Sequence, residues 1–178
     1  MCEPKKTGGV KMSALIALSV VAGVVAIPWV YLFILVFKLP VWVSFIAGGS
    51  FFAAGGGNEG LKKSIAADIV GVIYGIITAA IWLNIGGADA LTPAMIWLLS
   101  LIVGIVVFLA VYETKISLLS FVPGVFFGFG SFFGVFLGNP VIANIIPAAV
   151  QAALAIVIGI IFAYIIGYVS GLLTKKES

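Results

Sequence analysis

Six apolar runs, none parted from the next by more than a short polar turn, leave this chain one kind of environment in which to fold. A transmembrane helix takes about 20 apolar residues, because the hydrocarbon core of a bilayer is about 30 Å thick. The 178 residues hold six such runs and little else. Charged residues are 8% of the chain against 63% apolar, with a mean hydropathy of +1.35, and no water-soluble domain of this size could cover its core so thinly. The expected fold is an all-α, multi-pass integral membrane protein of six transmembrane helices. It consists of a tail at 1–11, a membrane domain over 12–174 and a second tail at 175–178.

The spans read as 12–37, 41–54, 64–83, 93–112, 116–137 and 141–173. Pro28 predicts a kink in the first and Pro147 a break in the sixth. Thr92 predicts an N-cap with Pro93 at the first helical position. All nine cationic residues are lysines. With six spans, Lys5, Lys6, Lys11, Lys62, Lys63, Lys115, Lys175 and Lys176 share one side, and Lys38 stands on the other. The positive-inside rule then puts both termini in the cytoplasm. A pI near 9.1 built from such lysines is no sign of nucleic-acid binding. Cys2, the only cysteine, lies ahead of the first apolar run, so it is neither half of an internal disulfide nor a lipoprotein cysteine.

The stretch from Leu118 to Gly138 is apolar yet carries Pro123 and five glycines. On a helical wheel Ser120, Gly124, Gly128, Ser131, Gly134 and Gly138 gather on one side. Phe126, Phe129, Phe132, Phe133 and Phe136 gather on the other, where they are expected to meet lipid or a neighbouring subunit. Phe127 falls among the small residues. A slide of 76 residues lays Ser44 on Ser120, Gly48 on Gly124, Phe51 on Phe127 and Asp68 on Asn144. The expected architecture is therefore a 3+3 inverted-topology repeat, with repeat one at about 14–84 and repeat two at about 90–170. An odd number of spans per copy turns the second copy upside down and puts a solute path near the interface.

Candidate pore residues are Ser44, Gly48, Phe51, Ser120, Gly124, Phe127 and Gly128. The small residues serve either close helix packing or the lining of a path, and Phe51 with Phe127 either fill core gaps or form an apolar constriction. Asp68, Asn144 and Gln151 are candidate vestibule groups. An ionisable residue inside a span marks a functional site by default; the competing reading pairs Asp68 with Lys62 or Lys63. The face of Asp68 continues through Gly71, Gly75, Thr78 and Trp82. Glu59 and Glu113, beside lysines in short turns, read as solvated. The chain has no histidine, no cysteine within the membrane domain and no clustered carboxylates, so no enzyme, metal site or cofactor is expected.

Leu118-Leu119-Ser120-Phe121-Val122-Pro123-Gly124 with its aromatic and glycine-rich continuation, together with Gly60-Leu61-Lys62-Lys63-Ser64, resembles the YcdZ-like family of small bacterial inner-membrane proteins. The likeness covers most of 14–170 and implies a membrane location, with no catalytic or binding residues to carry over.

The function expected from these residues is a passive channel or facilitator for a small neutral or weakly polar solute, working as a homo-oligomer in the bilayer. The alternatives are a proton-coupled transporter using Asp68 and a non-transporting assembly protein.

Overall fold

The computed structural model describes residues 12–86 and 92–174; Asp89 and the tails with Cys2, Lys5, Lys6, Lys11, Lys175 and Lys176 lie outside them. The described chain is helical: α1 Ala14–Tyr31, α2 Val41–Ala53, α3 Gly57–Gly86, α4 Pro93–Tyr112, α5 Val122–Phe136 and α6 Ile145–Leu173. α1 runs on into a wider π turn, Leu32–Phe37, and short 3-10 turns at Glu113–Lys115, Ser117–Leu119 and Ile142–Asn144 complete the connections. Four helical stretches are long and apolar enough to cross a membrane: Ala14–Phe37, Gly57–Gly86, Pro93–Lys115 and Ile142–Leu173. α2 and α5, of 13 and 15 residues, are shorter than one full crossing.

Several helix ends depart from the expected ones for local reasons. Pro28 stays within α1 without ending it, and a π turn over Leu32–Phe37 follows, closed by Lys38 at φ 53°. Pro147 does not break α6, because it sits in the first turn, where no backbone donor is needed. Thr92 has the extended N-cap backbone ahead of Pro93, but its side chain makes no capping bond. α3 begins at Gly57, before the lysines. Gly55, Gly56 and Gly57 all take positive φ, which ends α2 and lets the next helix start at once.

α2, α3, α5 and α6 form the centre, α3 lying along α5 and α2 along α6; α1 flanks α6, and α4 flanks α3. The α3–α5 crossing is a backbone contact, since a Cβ on Gly71 would overlap the Val125 carbonyl and one on Gly128 the Asp68 carbonyl. At the α2–α6 crossing a Cβ on Gly159 would stand 2.7 Å from the Ser44 Cα. Only glycine permits such approach.

The element ends line up at an offset other than 76 residues. α1 and α4 end at Tyr31 and Tyr112, and α2 and α5 begin at Val41 and Val122, an offset of 81. The same offset lays Gly49-Ser50-Phe51-Phe52 on Gly130-Ser131-Phe132-Phe133. The buried Val43, Ser44, Ala47, Ser50 and Phe51 fall on the buried Gly124, Val125, Gly128, Ser131 and Phe132. α3 and α6 start at Gly57 and Ile145, an offset of 88, which superposes Ala67, Asp68, Gly71, Val72 and Gly75 on Ala155, Ile156, Gly159, Ile160 and Ala163. The longer turn from Leu137 to Asn144 accounts for the change of offset. At these offsets Phe51 falls on Phe132 rather than Phe127, and Asp68 on Ile156 rather than Asn144.

Candidate functional site

Asp68 lies at the centre of the α3–α5 crossing with no exposed surface. It stands 11 residues into α3, about 16 Å along the axis from Gly57. Ser50 of α2 donates a 2.7 Å hydrogen bond to its Oδ1. That oxygen also rests against the first turn of α5, where a Cβ on Gly124 would stand 2.7 Å from it. The carboxyl group thus lies between Ser50 of α2 and the first turn of α5. Its Oδ2 is buried with no hydrogen-bond partner. The expected pairing with Lys62 or Lys63 does not form: Lys62 lies 3.6 Å from Glu59 across an exposed i,i+3 pair, and the helix carries both lysines below the crossing. Nor is Asp68 in an open vestibule, because α2, α3 and α5 close around it together with Phe121, just ahead of α5.

The face running from Asp68 through Gly71, Gly75, Thr78 and Trp82 is buried throughout, as its spacing predicts. Thr78 Oγ1 and, on α5, Ser131 Oγ are buried without partners like Asp68 Oδ2. Buried polar atoms normally find one. Ten residues separate Asp68 from Thr78, about 15 Å along α3, so these oxygens are spread along the helix rather than gathered at one point. Among the described residues no grouping of three His, Cys, Asp or Glu side chains could hold a metal ion.

The other sequence candidates take other places. Ser44 accepts the Trp29 indole N–H at 2.8 Å and donates to the Val41 carbonyl at 2.6 Å. Gly48 lies beneath the Trp29 ring, and Gly124 and Gly128 receive Ala67 and Asp68, so these glycines serve helix contact. Phe51 is buried against Phe52 and Tyr164, whereas Phe127 is half-buried on α5, and no ring contact joins the two among the described residues. Ser120 is exposed ahead of α5 and bonds to the Ser117 carbonyl. Asn144 spans its own turn to the Asn139 carbonyl at 2.8 Å, and Gln151 points outward from α6. The aromatic face of α5 is not all peripheral either. Phe132 and Phe136 are fully buried, Phe132 lying over Gly75, because α5 is covered by α3 on one flank and α6 on another.

Glu113 was expected to be solvated. Instead it is half-buried, its Oε2 accepting the Tyr74 hydroxyl at 2.6 Å while Oε1 is buried without a partner. Lys115 turns away to lie 4.1 Å from the centre of the Tyr112 ring. The signal available in the sequence was a lone tyrosine inside the third span, a phenol that needs a partner in lipid.

Comparison with known proteins gives the wider frame. Residues 19–175 match the family described as "Protein of unknown function (DUF1097)". Over 94 residues the chain is 33% identical to Uncharacterized protein YahC of Escherichia coli K12, covering 51% of this chain and 54% of YahC. Over 118 residues it is 31% identical to Inner membrane protein YcdZ of the same organism, covering 66% of this chain and 68% of YcdZ. The chain thus spans about half the length of the first relative and about two thirds of the second. No solved structure matches. The match runs from α1 to the end of α6, and with the likeness to YcdZ it establishes that the chain belongs to the DUF1097, YcdZ-like family.

Proposed function

We propose that the protein is a small transporter of the bacterial inner membrane that moves a small solute coupled to a proton, with Asp68 as the proton-carrying group. The observation that carries this reading is a fully buried carboxylate inside an apolar helix, held by one serine hydroxyl and leaving one oxygen without a partner. Intramembrane acids of this kind mark ion and proton paths. The name of the relative YcdZ supports the inner membrane as the location.

The architecture proposed is six spans arranged as a 3+3 inverted repeat, both termini cytoplasmic. Its support is the exchanged packing of the halves: α3 crosses α5 at Gly71 and Val125, and α6 crosses α2 at the corresponding Gly159 and Ser44. Two halves that each hand their third helix to the other's second are related by a two-fold exchange, the arrangement in which such transporters rock about a fixed site. A passive channel finds less support, because the glycine faces expected to line it are filled by helix contacts. Self-association through the outer faces of α1 and α4, where Ile27 and Trp97 are exposed, is part of the proposal and is read by native mass spectrometry.

The test is flux in proteoliposomes under an imposed pH gradient, with urea, glycerol, formate and ammonium as solutes and an internal pH dye as reporter. Solute-dependent proton movement lost in Asp68→Asn supports the reading. Flux unchanged by Asp68→Asn returns the passive facilitator, and flux no greater than in empty vesicles for every solute leaves the assembly role.

A further inference from the structure

α1 and α4 occupy corresponding places, one flanking α6 and the other α3, yet they are fastened differently. On α1, Trp29 is 3% exposed. It bonds to Ser44, stacks on Phe45 at 5.0 Å and Phe162 at 5.1 Å, and covers Gly48. The residue at that place on α4, at the offset of 81, is Ala110, and opposite it Val125 stands where Ser44 would be. The indole is missing, and an apolar cavity of about 80 Å³ remains between α4 and α5, bordered by Ala110, Val125, Phe126 and Phe129. What fastens α4 at this end is the Tyr74–Glu113 hydrogen bond.

That bond stands beside the site. Ala67, next to Asp68, packs with Ala110 and Val125 in one small cluster, which Tyr74 and Phe121 cover. The chain from Glu113 to Phe121 consists of two short 3-10 turns, and the second lies on α3. Phe121 reaches back over Gly124, whose other neighbours are Ala67 and Asp68. Moving α4 and this segment away from α3 and α5 would uncover Asp68 from the side that carries Lys62, Lys63 and Lys115. The cavity beside Ala110 gives α4 room to shift against α5, whereas on α1 the Trp29 ring fills the corresponding place.

We infer that α4 and the Glu113–Phe121 segment form the gate to Asp68 on the lysine-bearing side, latched by the hydrogen bond from Tyr74 to Glu113. The inference rests on Asp68 being the site of transport, and it names what controls access to it. Release of the latch exposes the Glu113 carboxylate to water, so the open state is stabilised by hydration of a group that keeps one unpartnered buried oxygen when closed.

The gate is tested by thiol labelling, which needs no transport. A Cys2→Ser background carries one reporter at a time: Ser50→Cys, whose side chain lies against Asp68, or Ile160→Cys, fully buried on α6. A membrane-impermeant maleimide is applied to full-length protein in inside-out vesicles. Tyr74→Phe is expected to raise labelling of the Ser50→Cys thiol at least tenfold and leave the Ile160→Cys thiol unchanged. Glu113→Gln, which keeps an acceptor, gives a smaller rise, and Ala110→Leu, which fills the cavity, lowers labelling. Equal labelling of the Ser50→Cys thiol with and without Tyr74→Phe overturns the gate, as does a parallel rise at both reporters, which reports general loosening. Gated labelling without flux retires the transport reading alone; flux dependent on Asp68 without gated labelling retires the gate alone.

Discussion

Gly71 of α3 and Gly159 of α6 each admit the backbone of another helix, at Val125 of α5 in one case and Ser44 of α2 in the other. The two contacts bring α3 against α5 and α6 against α2.

Adding one carbon at these crossings must therefore cost stability. Gly71→Ala and Gly159→Ala are each expected to destabilise by about 2–3 kcal/mol, the upper part of the usual range for overpacking a core. Gly104→Ala, with nothing within 4 Å of the new carbon, is expected to be neutral or to gain up to about 1 kcal/mol from helix propensity. Thermal unfolding in detergent, followed by a tryptophan or thiol probe, measures the contrast. Equal effects at the two kinds of site would contradict the close crossings.

Ser50 is the hydrogen-bond donor recorded for Asp68, so Ser50→Ala should cost about 1–3 kcal/mol by leaving a buried carboxyl without a partner. The corresponding place in the second half holds Ile156, which points to a remedy. In an Asp68→Ile background Ser50→Ala should be nearly neutral, because neither polar group is then waiting for the other. A double-mutant cycle on unfolding free energies measures the coupling, and additive effects would dissociate the pair.

The two flanking helices should answer oppositely to substitution. Trp29→Phe removes an indole bond to a serine that still has the Val41 carbonyl as acceptor, and about 1 kcal/mol should be lost. Ala110→Leu enters the cavity of about 80 Å³ and should stabilise by about 0.5–2 kcal/mol, the usual gain from filling one. Melting temperatures moving the same way would show that α4 is as tightly seated as α1.

Glu59 and Lys62 form an ion pair at 78% and 65% side-chain exposure. Such pairs contribute little, so Glu59→Gln should change stability by less than about 0.5 kcal/mol. Its larger effect, read by cysteine accessibility, would be on nothing in the Asp68 site. A marked loss of Asp68-dependent flux in Glu59→Gln would place this turn on the path and move the proposed entry away from α4.

The membrane location, the all-helical character and the approximate positions of the helices were legible in the sequence. Each follows from one-dimensional chemistry, apolar runs against the thickness of a bilayer. The buried face from Asp68 to Trp82 was legible too, since helical periodicity places residues on a face without knowledge of the partner. Offsets of 76 and 81 residues can both be drawn between the two halves, because in a chain that is 63% apolar many registers look alike; helix starts and buried positions favour the second.

What the tertiary structure alone decided was partnership. Serine is a common residue in a membrane helix, and nothing local says that Ser50 bonds Asp68 while Ser131 bonds nothing. Glu113 beside Lys115 looks solvated until α4 is packed on α3 and Tyr74 reaches it. The glycines of α5 could equally have faced a solute or a helix. Amino-acid order fixes which way a side chain points from its own helix, but the neighbour it meets depends on how several helices cross, and those crossings are set by contacts between residues far apart in the chain.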